Sequence, residues 1–429
     1  MLVQQEILNY HLTTTGNDVR GLEFEFFCLD RQCQRLFFNK NKNNKVIELQ
    51  KIFDYLIKEN SFKELNFAKT IGVEKDGAKF TLEPGFQLEY STRKSSNIKV
   101  LIKEFLDFLE ICKIICEKFD LRLSDFSLFP ADNVGYTSLL PVARYKIMDK
   151  YFQSTGALGG KMMRDTTSLQ LTFSYKSQQD LEEKVNRLLF LKPVLLTLSS
   201  NSRIYEGKDS GYRSFREMVW KDTDPKRCGD PGKNFWVNGR WTMKDYIEKV
   251  LNAPVIFDVA NKQYQAVPAQ SFRSLMNNLD LASYIFHNST IFTDIRIKDY
   301  IEMRYLDNPT IRLVPGIILL VENALNNDKI WNLLNSLPYE FENVPTVTRK
   351  LNIINVESFD LWSKRIKPIL VAVIDDLKVS HPKEIHFYLD ALIEKINLIG
   401  NPINSEISLQ NILENSTDQF NINLAKLLA

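Results

Sequence analysis

Histidine is scarce: His11, His287, His381 and His386 are the only four, and none falls in a motif, which weighs against a hydrolase built on a histidine base. Cysteine is hardly commoner. Cys28, Cys33, Cys112, Cys116 and Cys228 form an odd set with no repeated metal-ligand spacing, so neither a zinc site nor a disulfide framework is expected. Cys112 and Cys116 fall on one face of an apolar helical stretch, where cysteine acts as a small hydrophobe. A surplus of charge of either sign is also missing, because 55 Lys and Arg against 53 Asp and Glu leave a net charge of +2. No basic block interleaved with aromatics occurs, which argues against nucleic acid as a partner. The one polybasic stretch, residues 39–45, reads as a solvated hairpin or loop tip. Long hydrophobic runs are absent as well. The greasiest, residues 188–198, is interrupted by Lys192 and Pro193, and the first six residues lack the basic-then-apolar order of a signal peptide. No membrane association and a reducing cytoplasm are therefore expected.

What is present is ordinary globular material, 44% hydrophobic and 25% charged, in a chain of 429 residues that can bury a sizeable core as one large α+β unit. Residues 19–38 read as two strands and 49–58 as a helix. Residues 74–92 read as strands around Pro84-Gly85, and a longer helix follows Asn97 as N-cap. Residues 169–175 read as a strand. Ser177 and Asp180 resemble a capping box that opens a helix toward Leu191, with Pro193 ending or kinking it. The pattern dissolves between 201 and 238, and so long a loop in a compact chain is usually functional. A strand over 293–304 precedes helical spacing at 317–325, 361–377 and 386–398.

Acids and an arginine recur at a spacing of two, as Glu23/Glu25, Gln87/Glu89, Asp294/Arg296 and Glu302/Arg304. In a strand each pair lands on one face, with Leu22, Phe24, Leu88 and Met303 on the other. A solvated amphipathic strand gives the same alternation without chemistry. Company favours chemistry: Glu83 adds an acid on a turn, and Ser168, Gln170 and Thr172 supply another polar row. Such a face suits divalent cations, which prefer carboxylate oxygens, and phosphate, onto which arginine forks. The pattern points to a metal-dependent user of a nucleoside triphosphate.

The most specific stretch, residues 201–224, contains Asn201-Ser202, Glu206-Gly207-Lys208, Arg216 and Trp220-Lys221-Asp222-Thr223-Asp224. It resembles the corresponding segment of the plant-type, or second-class, glutamate-cysteine ligases. The likeness extends to Leu82-Glu83-Pro84-Gly85 through Gln87 and Glu89, to Met162-Met163 before Thr166 and Gln170, and to Asp294 through Asp307. The resemblance implies a glutamine synthetase-like curved antiparallel sheet, with helices on its convex side and the site in its concavity. One catalytic domain would fill residues 1–429, with its core over about 15–310 and a helical region over about 311–429. It further implies Glu23, Glu25, Glu83, Glu89 and Glu302 as Mg²⁺ ligands with Gln170 near the metal. Arg296 and Arg304 would hold ATP phosphates, with Arg304 and Glu302 at the catalytic step. Arg216, Met162, Met163 and Trp220 would bind the amino-acid substrate. The implied reaction joins glutamate to cysteine, the first step toward glutathione, with small-molecule partners only; another amine acceptor or a non-catalytic nucleotide-binding relative are the alternatives. Read individually, Met162 and Met163 could fill a core, Trp220 could pack the loop, and Asp222 and Asp224 could be turn or cap residues. Thr172, Asp165 and Phe86 depart from the family pattern, the first two where they could alter the acceptor pocket.

Overall fold

The computed structural model describes residues 4–12, 20–36, 49–65, 72–131, 138–230, 239–399 and 409–428; the polybasic stretch at 39–45 lies outside them. Nine strands form the principal sheet: β1 (Arg20–Leu29), β2 (Lys63–Glu64), β3 (Gly72–Lys75), β4 (Ala78–Leu82), β5 (Leu88–Ser91), β6 (Arg122–Ser124), β7 (Leu169–Phe173), β8 (Ile295–Ile297) and β9 (Ile301–Met303). Their order is β8-β9-β7-β1-β5-β4-β3-β2, every neighbour antiparallel, with β6 paired to the far end of β1.

The period of two explains how β1 divides its residues. Phe24 and Phe26 pack against Phe105 and Phe108 of α3 (Ile98–Phe119), whose N-cap Asn97 accepts from the Lys99 amide at 2.9 Å. Glu23 and Glu25 point to the opposite face. Phe26 is also met edge-on by Phe420 of the helix Leu409–Leu428, so the latest described helix covers the first strand. One apolar cluster runs from Ile7 to Leu427.

Several elements match their sequence reading, among them α2 (Leu49–Asn60), the strands flanking Pro84-Gly85, and α6 (Gln178–Phe190), whose Ser177 cap accepts from the Asp180 amide. Pro193 opens a second helix, α7 (Lys192–Ser199), as its missing N–H permits at a first turn. Three readings need correction. After β1 the chain returns to Leu29 only as an isolated bridge at Arg35, and residues 37–38 lie outside the described set. The single strand expected over 293–304 is a hairpin, because Lys298 to Tyr300 turn the chain and bring Arg296 directly opposite Glu302. The presumed long loop contains α8 (Phe215–Lys221), N-capped by Ser214, and a two-stranded pair, Ile204–Tyr205 with Lys208–Asp209. A helix over Gln4–Leu12, unmarked by any strong sequence signal, precedes the sheet.

Candidate active site

Register decides which side chains meet. Glu25 lies opposite Glu89 across β1 and β5, Glu23 opposite Gln170 across β1 and β7, and Glu302 between Thr172 and Arg296. Directly opposed residues share a face, and like charges so placed cost stability. The face forms one wall of a cavity of about 300 Å³. All twelve side chains expected at the site line it: Glu23, Glu25, Glu83, Glu89, Gln170 and Glu302; Arg296, Arg304 and Arg216; Met162, Met163 and Trp220. The two methionines come from α5 (Gly159–Asp165) and Arg216 and Trp220 from α8.

Four of the acids carry raised pKa values. Burial, then Glu89 and Glu302, push Glu23 up to about 7; burial and Glu89 push Glu25 to about 8, against Arg216 and its bonds from Ser168. Burial and Glu25 raise Glu83 to about 7, and burial and Glu83 raise Glu89 to about 8. Glu83 and Glu89 also interact side chain to side chain, which favours the ionised form of Glu83 and the neutral form of Glu89. Glu302 differs. Burial would raise it, but Arg296, Lys298 and Arg304 overrule that and hold it well below the usual carboxylate range. Arg296 donates from Nε to Oε2 and from Nη2 to Oε1 at 3.0 Å, Lys298 donates to Oε1 at 3.0 Å, and Arg304 donates to Oε2 at 3.3 Å. Both oxygens of Glu302 thus accept from cations, whereas for Glu23, Glu25 and Glu83 burial and the neighbouring acids outweigh the pull of Lys298, Arg304, Arg216 and Arg144.

The donor set fits Mg²⁺: hard carboxylate oxygens, crowded together so that burial and mutual repulsion raise them and an added cation would relieve both. No three acidic, histidine or cysteine side chains among the described residues close on one point as they stand. Mg²⁺ commonly takes only one or two protein carboxylates and completes its shell with water and phosphate oxygens, so a pair such as Glu23/Glu25 or Glu83/Glu89 meets its need.

Arg304 donates to Gln170 Oε1 at 2.5 Å, while Gln170 Nε2 donates to Glu25 at 3.2 Å, which ties the arginine to the acids. Arg216 donates to the carbonyls of Leu306 at 3.0 Å and Arg304 at 3.3 Å. Its Nε and the Trp220 Nε1 are buried without a hydrogen-bond partner among the described residues, an unfavourable state unless a ligand or water supplies an acceptor.

Other expectations are redirected. Asp294 does not join Arg296 at the cavity; it precedes β8 and accepts from Lys192 at 2.6 Å, and Lys192 also donates to Glu217 at 2.9 Å. Asp224 accepts from Tyr151 at 2.9 Å and Arg227 at 2.7 Å, and Asp222 caps the end of α8, so both take the bland role. Asp307 is buried beneath the Asn201-Ser202 segment, accepting from Ser202 and Ser214 hydroxyls at 2.6 Å each. Gln87 braces the turn after Glu83, accepting from the Gly85 amide and donating to the Thr166 carbonyl, both at 2.9 Å. Asp165 pairs with buried Arg35 at 2.5 Å, and neither it nor Thr172 lines the cavity, so those two departures do not alter its wall. Sequence reasoning missed Lys298, although it continues the alternation from Arg296, and missed Arg144, Tyr145 and Tyr264, which carry no periodic signal.

The glutamate-cysteine ligase family 2 model matches residues 19–328. The chain is 29% identical over 264 residues to the chloroplastic glutamate-cysteine ligase A of Oryza sativa subsp. indica, covering 59% of this chain and 52% of that protein. It is 30% identical over 246 residues to the chloroplastic enzyme of Nicotiana tabacum, covering 55% and 47%. The chain thus spans about half the length of the curated relatives it matches. Its fold is similar to that of the glutamate-cysteine ligase of Francisella tularensis, solved in complex with AMP, with a TM-score of 0.51 at 13% identity over 97% of this chain and 93% of that one. With more than half its length matched by the family model and the family's residues gathered in one cavity, the chain belongs to glutamate-cysteine ligase family 2.

Proposed function

We propose that the protein is an ATP- and Mg²⁺-dependent ligase that joins the γ-carboxylate of glutamate to the amine of cysteine. The observation that carries this reading is the coexistence in one cavity of five glutamates and three arginines, with burial and mutual repulsion pushing four of the carboxyls up. A carboxylate approaches a triphosphate only if positive charge offsets the repulsion. The sheet would curve around this cavity in the glutamine synthetase manner, helices on its convex side.

Bound Mg²⁺, held by Glu23, Glu25, Glu83 and Glu89 with Gln170 alongside and Glu302 at the margin, would neutralise phosphate charge and align the triphosphate. Arg296 and Arg304 would grip phosphate oxygens, with Glu302 fixing the planes of both guanidinium groups. Arg216 Nε and Trp220 Nε1 would receive the substrate α-carboxylate, and Met162 and Met163 would pack its methylenes. A glutamate γ-oxygen attacks the terminal phosphorus and ADP leaves. The cysteine nitrogen then attacks the acyl carbon, loses a proton, and inorganic phosphate departs. Arg144, near Glu83 and with its Nε unpartnered among the described residues, would be a further anion contact. Five cysteines with no disulfide spacing accord with a reducing compartment such as the cytoplasm.

The test is ADP release from ATP, Mg²⁺ and glutamate, with and without cysteine, followed by mass identification of products from an equimolar panel of amines. Cysteine-dependent release of γ-glutamylcysteine is expected. A dominant γ-glutamyl product of another amine would transfer the assignment to that acceptor, and no product with any amine alongside ATP binding would make this a non-catalytic relative.

A further inference from the structure

A second cavity, of about 550 Å³, shares no lining residue with the acid-lined one. Its walls are apolar where Phe126, Leu128 and Ile354 contribute, and Leu398, 63% exposed, stands at its mouth. The lining residues of this cavity include cations and no acid, although the buried Asp307 carboxylate behind the wall attracts Lys395. Arg213 is only 6% exposed, lies 5.1 Å from the Phe359 ring centroid, and spends its Nε on the Leu351 carbonyl at 3.0 Å; among the described residues it makes no ion pair and its buried Nη2 has no hydrogen-bond partner. Lys395 donates to the Ser200 carbonyl at 3.1 Å and likewise lacks an ion pair among the described residues. Burial and the proximity of Arg213 depress the lysine to about 8. Arg203, the third cation on the wall, is already taken up by Asp209.

A buried guanidinium with an unused N–H costs stability, and two unpaired cations beside one another cost more. An apolar wall alone would hold nothing but an apolar ligand, and cations alone would hold any anion. We infer that this cavity binds a small amphipathic organic anion, its oxyanion head on Arg213 and Lys395 and its hydrocarbon body against Phe126, Leu128 and Ile354. Arginine matches a planar oxyanion with a two-pronged contact, and a volume of this size suits a ligand of drug-like dimensions. The inference does not depend on the chemistry assigned to the first cavity.

Calorimetric titration of the full chain with octanoate tests it, with acetate and inorganic phosphate as comparison anions. Saturable one-site binding of octanoate is expected, at least about tenfold tighter than either comparison, since the hydrocarbon body adds several buried methylenes. Lys395→Met should weaken it about tenfold by removing one charge. Leu398→Glu, at an exposed position that leaves folding intact, should abolish it by placing a like charge at the mouth. Saturating ATP with Mg²⁺ should leave it unchanged. The inference is overturned if octanoate fails to bind at millimolar concentration, if phosphate or acetate binds equally well, if both variants bind as wild type does, or if ATP with Mg²⁺ displaces octanoate.

Discussion

Glu23 is the residue at which cost and use are most cleanly separated. Burial, Glu89 and Glu302 press on it harder than Lys298 and Arg304 relieve it, and among the described residues no side-chain hydrogen bond rewards its charge. Glu23→Gln keeps the shape and removes the repulsion. The unliganded variant should therefore melt a few degrees higher than wild type, more so at pH 8 than at pH 6, while turnover falls at least about hundredfold. Thermal unfolding and ADP release measured on one preparation check both halves, and wild-type turnover at saturating Mg²⁺ would remove Glu23 from the ligand set. Arg304→Lys keeps a charge but not the geometry that bonds Gln170 and Glu302 together. It should lose most turnover, and undiminished ADP formation would rule out a two-pronged grip on phosphate.

Among elements, the turn between β4 and β5 explains a family departure. Phe86 sits at φ +70°, in the left-handed region that favours glycine, yet is only 3% exposed. Holding a non-glycine residue there costs about 1–2 kcal/mol, whereas deleting a buried phenyl ring costs about 3–5 kcal/mol. Burial wins, so Phe86→Gly should destabilise by about 2 kcal/mol in denaturant unfolding; a stabilised variant would mean strain dominates. Gly85, by contrast, has no freedom, because a Cβ there would strike the Arg164 carbonyl. The same scale shows what the sequence could reveal. Alternation placed Glu23 and Glu25 on one face and Phe24 and Phe26 on the other because a strand allows nothing else. It failed for Asp294, since the β8–β9 pairing begins only at Ile295 and Lys192, a hundred residues away in sequence, claims its carboxylate. The acids at 165, 224 and 307 looked equal to those of the site in composition. What separates them is a long-range partner, Arg35, Arg227 or the Ser202 and Ser214 hydroxyls, that no local pattern encodes.

For the whole molecule the raised acids predict an unusual pH response. Glu23 and Glu83 titrate near 7 and Glu25 and Glu89 near 8 when folded, against an ordinary value of 4.5. The folded state therefore holds protons that the unfolded chain has released, and stability falls as pH rises from about 5 to 8. Buried His11, held to about 4, and His287, held to about 3, act in the opposite sense, since the unfolded chain binds their protons below 6.5. Buried Asp125, raised to about 7, makes a fifth such acid, so two histidines offset only two of five below pH 6.5 and none above it, and the decline should steepen there. Mg²⁺ with ATP should flatten the curve by replacing the protons. Melting temperature against pH, with and without both ligands, is the measurement; a flat unliganded profile would show that these carboxylates are not protonated.

The contact between Phe26 and Phe420 has a consequence in time. Almost four hundred residues separate the two rings in the chain. A ribosome adding about 5–20 residues per second needs roughly 20–80 s between them. For that interval the central strand, with its site-bearing acids on one side, has part of its phenylalanine face without its final cover. Exposed apolar faces of this kind are aggregation liabilities. Nascent chains arrested before residue 409 should therefore be cut by protease within β1 and retained by chaperones, and chains carried past residue 428 should be protected. Equal protection of both would show that the sheet closes without its last helix.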